Sequence, residues 1–116
     1  MNIPNFYVEP ASYQVDFEDL HWVRNAVFVE EQRISPELEF DGLDRQCHHF
    51  IARDIQRRPI GTGRLSPEGK IGRMAVLHEW RRQGVGKSLL RAMIEQAHNL
   101  DLTKVTANAQ VTALDF

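Results

Sequence analysis

Residues 71–97 read IGRMAVLHEWRRQGVGKSLLRAMIEQA, the pattern of a strand, a short turn, a glycine-containing loop and an amphipathic helix. Gly84 and Gly86 lack a Cβ, so the loop backbone can approach a ligand closely at both positions. The helix that begins here directs its unpaired N–H groups and the positive end of its dipole toward the same place. Arg81, Arg82 and Lys87 add positive charge. The stretch therefore predicts an anion site that suits phosphate.

Three phosphate-binding signatures compete for this loop. A Walker A loop needs a glycine five residues before Gly86, where this chain has Arg81. A dinucleotide fingerprint needs a third glycine where this chain has Leu89. The third signature, Arg or Gln followed by x-x-Gly-x-Gly after a strand, is met in full by Arg81, Gly84 and Gly86.

This third pattern resembles the cofactor loop of the GNAT acetyltransferase superfamily, which binds the pyrophosphate of acetyl-CoA. Met74-Ala75-Val76 and the spacer to Trp80 stand where that family has its cofactor-pairing strand and turn. Residues 27–32 (VFVEEQ) and 40–44 (FDGLD), followed by His48-His49, further resemble an ElaA-like bacterial subgroup. The resemblance extends from about Phe17 to the end of the chain. It implies an α/β protein of the GNAT fold, with a mixed, mostly antiparallel sheet flanked by helices.

Hydrophobic patterns predict a three-stranded meander in the middle of the chain. Its strands are His48–Asp54, Pro59–Leu65 and Lys70–Val76. An earlier strand is predicted in residues 6–8 or 13–15, and Pro10 is expected to end it.

Helical spacing predicts one helix from Phe17 to about Gln32, with Asp16 as its cap. A second helix follows the glycine loop, ends at Asn99 and presents one apolar stripe to the sheet, formed by Val85, Leu89, Leu90, Met93, Ile94 and Ala97. A strand at Thr103–Ala109 comes next. A right-handed crossover would place it parallel to Lys70–Val76.

Length and charge limit the class of protein. The 116 residues are enough for a single domain, residues 1–116, and the net charge is −2. Residues 1–52 carry a balance of −7 and residues 53–91 a balance of +7. A nucleic-acid binder would not carry so acidic a half, whereas an enzyme that meets an anionic cofactor and a cationic substrate could use both.

The sequence also argues against a targeting signal, a membrane span and a metal site. The first residues show no signal-peptide pattern, and no apolar run reaches membrane-spanning length, so a cytoplasmic protein without a membrane partner is expected. The single Cys47 excludes an internal disulfide. His48 and His49 are consecutive, so on a strand they face opposite sides and cannot hold one ion, and no metal site is expected.

The end of the chain departs from the GNAT pattern. Family members usually continue with a helix, two strands and a tyrosine that protonates the leaving thiolate, and Phe116 comes before all of these. Thr103–Ala109 would then form an exposed sheet edge, which is a pairing liability. We expect either that the domain is C-terminally incomplete or that a second copy of the chain covers the edge as a homodimer.

The resemblance implies a cofactor site in three parts. The backbone of Met74, Ala75 and Val76 would pair with the pantetheine arm of acetyl-CoA. Asn108, at the end of the next strand, would contact the same arm. The loop would hold the pyrophosphate through the residues Arg81, Arg82, Gln83, Gly84, Val85, Gly86 and Lys87.

Acetyl transfer to a primary amine also needs a base, because an unperturbed amine has a pKa near ~10. The candidates are the acidic residues and histidines of the first half of the chain: Glu30, Glu31, Glu39, Asp41, His48 and His49. We select Glu31, which stands at a helix end where a carboxylate is electrostatically unfavourable, and His49. The family's usual acid has no counterpart in this sequence.

The predicted function is transfer of an acetyl group from acetyl-CoA to a primary amine on a small molecule or a protein. The missing acid leaves open a non-catalytic acyl-CoA-binding or interaction module. A nucleotide-phosphate binder is a third hypothesis.

Overall fold

The chain folds around one mixed sheet. In residues 5–36 and 42–107, which this computed structural model describes, five strands lie in the order β1-β2-β3-β4-β5. They are β1 (Phe6–Ala11), β2 (His48–Asp54), β3 (Pro59–Leu65), β4 (Lys70–Val76) and β5 (Thr106–Ala107). The first four are antiparallel to their neighbours, and β5 is parallel to β4. The predicted mixed, mostly antiparallel sheet is confirmed.

Helices cover both faces of the sheet. On one face lie α1 (Phe17–Arg24) and the π-helix Asn25–Glu31 that continues from it. On the other lies α2 (Val85–Asn99), which follows β4 through a short 3₁₀ turn at His78–Trp80. A further 3₁₀ turn, Asp44–Gln46, leads into β2.

Two glycines in β3 allow α2 to pack close to the sheet. A Cβ at Gly63 would lie 2.6 Å from Met93 Cε, and one at Gly61 would lie 3.0 Å from Val85 Cγ1. Alternate residues of a strand share a face, so Arg64 points to the opposite side, toward α1. The core of buried apolar side chains lies on both faces, and it includes Val23, Val27, Phe50, Ile71, Leu89 and Met93.

The three strands of the meander have the predicted bounds. The crossover prediction is also confirmed, since β5 runs parallel to β4, although it begins at Thr106 rather than Thr103. The first strand is the earlier of the two alternatives. Pro10 does not end it, because β1 is an edge strand and a missing N–H is tolerated there.

The helix predictions were right in extent and wrong in detail: helical turns begin at Phe17 after Asp16 and continue to Glu31, next to the predicted end at Gln32. The α-helix ends at Arg24 and becomes a π-helix, a change of turn that apolar spacing does not reveal. Asp16 stands at the predicted N-cap, but its side chain does not cap the helix, because its two oxygens accept from the Ser12 N–H and from Arg53 Nη2. Ile94 is 48% exposed, so the buried stripe of α2 is narrower than expected.

Among the described residues, every helix is too short or too polar to cross a lipid bilayer.

Candidate cofactor and acceptor site

A bulge interrupts β4 within the segment predicted to meet the cofactor. Thr62 is opposite Ala75 and Arg64 is opposite Gly72, so Arg73 and Met74 together face the single residue Gly63. Arg73 has a positive φ of 50°, which is uncommon for a residue with a side chain. A bulge bends the strand and redirects its backbone groups. Met74, Ala75 and Val76 therefore begin where the regular ladder is broken.

The second half of β4 has an open edge in the part of the chain that is described. There, β5 pairs with Lys70 and Ile71 alone. The backbone beyond Ile71 can then pair with an extended ligand that carries amide groups, as an added strand would. The pantetheine arm predicted for this edge has that character. Asn108, predicted to contact the same arm, lies outside the described residues.

The glycine loop ends in an uncapped helix start. Gly84 is the N-cap of α2, has a φ of 88° and is followed by N–H groups that receive no side-chain cap. A Cβ at Gly84 would have no protein atom within 4 Å, so the space beside this residue is open to a ligand. Arg82, Gln83 and Lys87 are exposed around it, and Gln83 Nε2 donates to the Glu79 carbonyl at 3.0 Å. The geometry is that of an anion site.

Arg81 and Glu31, which the sequence assigned to different roles, are bonded to each other. Arg81 Nη1 donates to Glu31 Oε2 at 2.7 Å, Nη2 donates to Oε1 at 2.5 Å, and Nε donates to the Val76 carbonyl at 3.0 Å. The hydrogen bond from Arg81 lowers the pKa of Glu31 below its ordinary value. A carboxylate held in this way is a weaker base, which argues against the catalytic role that the sequence suggested.

His49 is buried on the α1 side of the sheet, while His48 is exposed, as their alternation predicted. Burial lowers the pKa of His49, so the ring is neutral and its Nε2 donates to the Asp44 carbonyl at 2.7 Å. The ring of Tyr13 stacks on it with a centroid distance of 5.0 Å. Because β3 separates β2 from β4, about 10 Å lies between the backbone of His49 and the cofactor strand. The structure does not bring His49 together with Glu31 and the loop.

Sequence reasoning missed a buried ionic cluster below His49. Asp44 Oδ1 accepts from Arg24 Nη1 at 2.8 Å and from Arg64 Nη1 at 2.9 Å. Burial would raise the pKa of Asp44, but the hydrogen bonds and charges of the two arginines outweigh it and hold the pKa below its ordinary value. One sequence signal was available, because Arg24 falls within the apolar stripe of Leu20, Val23 and Val27. In the structure Arg24 is only 1% exposed. Glu39 and Asp41, two further candidates for the base, lie outside the described residues.

Two histidines whose pKa values are lowered in the folded chain, His49 and His21, predict a pH-dependent stability. Burial also lowers the pKa of His21, whose Nε2 lies 2.9 Å from the Tyr13 hydroxyl. The unfolded chain binds protons more readily at both rings, so their contribution to the free energy of unfolding is full above about pH 6.5 and is lost as the pH falls toward the lower folded-state values. We expect denaturant titrations between pH 7 and pH 5 to show a shallower slope for His49→Gln than for the unmodified chain. His98→Gln, at an exposed position, is the matched control, and equal slopes for all three proteins would contradict this prediction.

Comparison with known proteins agrees with the geometry. The sequence model of the family described as "Acetyltransferase (GNAT) domain" matches residues 18–116. The chain is 32% identical over 109 residues to the uncharacterised N-acetyltransferase YjcF of Bacillus subtilis (strain 168), covering 91% of this chain and 77% of YjcF.

Solved structures show the same fold. A proposed N-acetyltransferase from Lactobacillus plantarum superimposes with a TM-score of 0.81 at 30% identity, covering 93% of this chain and 77% of that one. Escherichia coli ElaA gives a TM-score of 0.78 at 22% identity, with coverages of 92% and 80%. Among the other structural neighbours, one contains acetyl-CoA and another a CoA-linked bisubstrate analogue, so members of the family use acyl-CoA. With the family match over residues 18–116, these findings show that the chain belongs to the GNAT acetyltransferase family.

Proposed function

We propose that this protein is an N-acetyltransferase that moves an acetyl group from acetyl-CoA to a primary amine. The observation that carries the proposal is the bulged β4, whose second half has an open edge in the described part of the chain, followed through the 3₁₀ turn and the glycine loop by an uncapped helix N-terminus at Gly84. The first feature suits an amide-bearing arm and the second suits a pyrophosphate. Acetyl-CoA carries both groups in the same order.

The cofactor would lie along the path from β4 to α2. In this proposal the pantetheine arm pairs with backbone groups of Met74 to Val76 other than the Val76 carbonyl, which accepts from Arg81 Nε. The N–H groups of residues 82–87 hold the pyrophosphate. The thioester then lies beside the bulge. A backbone N–H there can donate to the oxyanion that forms when the amine nitrogen attacks the carbonyl carbon. The C–N bond forms, the C–S bond breaks, the nitrogen releases a proton to solvent, and the thiolate of CoA takes up a proton from solvent.

Positioning is the catalytic contribution that the described residues support best. Holding an amine against a bound thioester removes much of the entropic cost of their encounter. The sequence candidates for the base fit less well, since Glu31 is bonded to Arg81 and His49 lies on a strand that β3 separates from β4. We propose that amine acceptors lose their proton to solvent before they attack.

The second candidate function is a non-catalytic acyl-CoA-binding module. The positions of Glu31 and His49, which suit a general base poorly, also favour it. Thiol release from acetyl-CoA separates the two functions. We would test a polyamine, an aminoglycoside, an amino acid and a lysine-containing peptide, with an amine-free reaction to measure hydrolysis. Amine-dependent thiol release supports the transferase. Binding of acetyl-CoA without thiol release for any acceptor supports the binding module instead.

A further inference from the structure

The ion pair between Arg81 and Glu31 joins two elements on opposite sides of the sheet. Glu31 ends the π-helix that follows α1, and Arg81 begins the loop that leads to α2. The guanidinium makes two hydrogen bonds to the carboxylate and one to the Val76 carbonyl, so each of its three nitrogens donates a hydrogen bond. The Arg81 side chain is 19% exposed and the Glu31 side chain 40% exposed, which makes this a partly shielded pair.

The direction of the Val76 carbonyl shows where this pair sits. The Leu77 N–H donates to the Ile60 carbonyl at 2.9 Å, so it points toward β3. In a trans peptide the carbonyl of the preceding residue points the opposite way. The Val76 carbonyl therefore faces the open edge of β4, and Arg81 covers the last acceptor on that edge.

The backbone of the loop after Arg81 has a conformation that its surroundings must support. Arg82 has a φ of 64° and Gly84 a φ of 88°, so two of the next three residues are in the left-handed region. A left-handed conformation costs a residue with a side chain roughly 1–2 kcal/mol unless its surroundings impose it. The Arg81 guanidinium is fixed by Glu31 and by the Val76 carbonyl, immediately before this strained turn.

We propose that Glu31 is a positioning residue for the cofactor loop: it holds Arg81 against the open edge of β4 and thereby places the loop amides that meet the pyrophosphate. This inference rests on the proposed function and changes the role of Glu31 within it. Arg81 connects the end of β4 to the loop and fixes their relative position. Its charge is already balanced by Glu31, so its main contribution to acetyl-CoA binding is geometric.

Glu31→Gln tests this role, because positioning and simple electrostatics predict opposite changes in the affinity for acetyl-CoA. Removing a negative charge near an anion site should strengthen acetyl-CoA binding by simple electrostatics. If Glu31 positions the loop, the variant should instead raise KM and the calorimetric Kd for acetyl-CoA about tenfold, with kcat changed less than about twofold. Glu79→Gln is the matched control, because it removes an exposed carboxylate from the same segment and should leave Kd unchanged or lower it by less than about twofold.

Arg81→Lys distinguishes a positioning role of Arg81 from direct binding of phosphate by its side chain. Lysine keeps the charge and can bind phosphate, but it cannot make the paired hydrogen bonds to Glu31 together with the one to Val76. The positioning role predicts that Arg81→Lys weakens acetyl-CoA as much as Glu31→Gln does, and that the double variant is no weaker than either single variant. Additive losses would overturn the role, because they would mean that the two side chains act independently.

Other outcomes separate this inference from the proposed function. A large fall in kcat with unchanged KM in Glu31→Gln, together with loss of the acidic limb of the pH–rate profile, would restore Glu31 as the base and overturn the positioning role. Unchanged Kd in Glu31→Gln would overturn it as well, while leaving the proposed function intact. If the unmodified folded chain binds no acetyl-CoA, both fail together. Thermal unfolding of each variant verifies that the differences in Kd come from folded protein.

Discussion

Gly84→Asp is expected to weaken acetyl-CoA binding at least about 100-fold, which is roughly 3 kcal/mol, while the chain stays folded. The position is open, since an added Cβ meets no protein atom within 4 Å. Aspartate also tolerates the left-handed conformation that the φ of 88° requires better than most residues do. Its carboxylate would, however, stand where the phosphate is proposed to bind and would compete for the N–H groups at the start of α2.

Gly84→Ala separates strain from charge in this experiment. It introduces the same Cβ at the same φ without a carboxylate, so we expect a loss of acetyl-CoA affinity of only a few-fold. Calorimetric titration gives Kd for both variants, and thermal unfolding verifies that each is folded. Equal, small losses in both variants would show that the phosphate does not lie at this helix start.

Asp44→Ala is expected to lower the free energy of unfolding by about 3–5 kcal/mol, the cost of breaking a buried ion pair from one side. Asp44 receives hydrogen bonds from Arg24 and Arg64, and Arg24 is only 1% exposed. Removing the carboxylate leaves the buried charge of Arg24 without this partner. Denaturant unfolding measures the loss. Asp44→Asn keeps the shape of the side chain, and its free energy of unfolding is expected to lie between those of the unmodified chain and Asp44→Ala. It supplies the measurement if the alanine variant does not fold.

Arg58→Ala is the contrast for this prediction. The Arg58 side chain is 70% exposed in its ion pair with Asp54, so its removal should cost less than about 1 kcal/mol. The dependence of stability on pH adds a second test. The pKa of Asp44 is lowered in the folded state, so its contribution is present above about pH 4, the range of an unfolded aspartate, and is lost as the pH falls through the folded value. Equal stabilities of Asp44→Ala and Arg58→Ala would contradict the importance of the cluster.

The sheet and the cofactor loop could be predicted from local sequence. The three central strands alternate and are separated by turn residues, so β2, β3 and β4 have the predicted bounds. The glycine at position 84 forms the start of α2, as the motif required. These features depend on residues close together in the chain, which is why local patterns reveal them.

The remaining features depend on contacts between distant residues. Arg81 and Glu31 are fifty positions apart, and neither sequence position indicates that one side chain will hold the other. Asp16 stands at the helix N-cap as predicted, but its carboxylate binds Arg53, thirty-seven positions away, instead of capping the helix. The π-helix likewise forms in a segment whose apolar spacing predicted a continuous α-helix.

Calorimetric titration of the full 116-residue chain with acetyl-CoA, with ATP and NAD as controls, tests the central claim most directly. We expect one acetyl-CoA to bind with micromolar affinity and ATP and NAD to bind much more weakly, because β4 and the helix start together match only the first ligand. A folded chain that binds no acetyl-CoA, or that binds ATP equally well, would contradict the assignment of β4 and the Gly84 loop as an acetyl-CoA site.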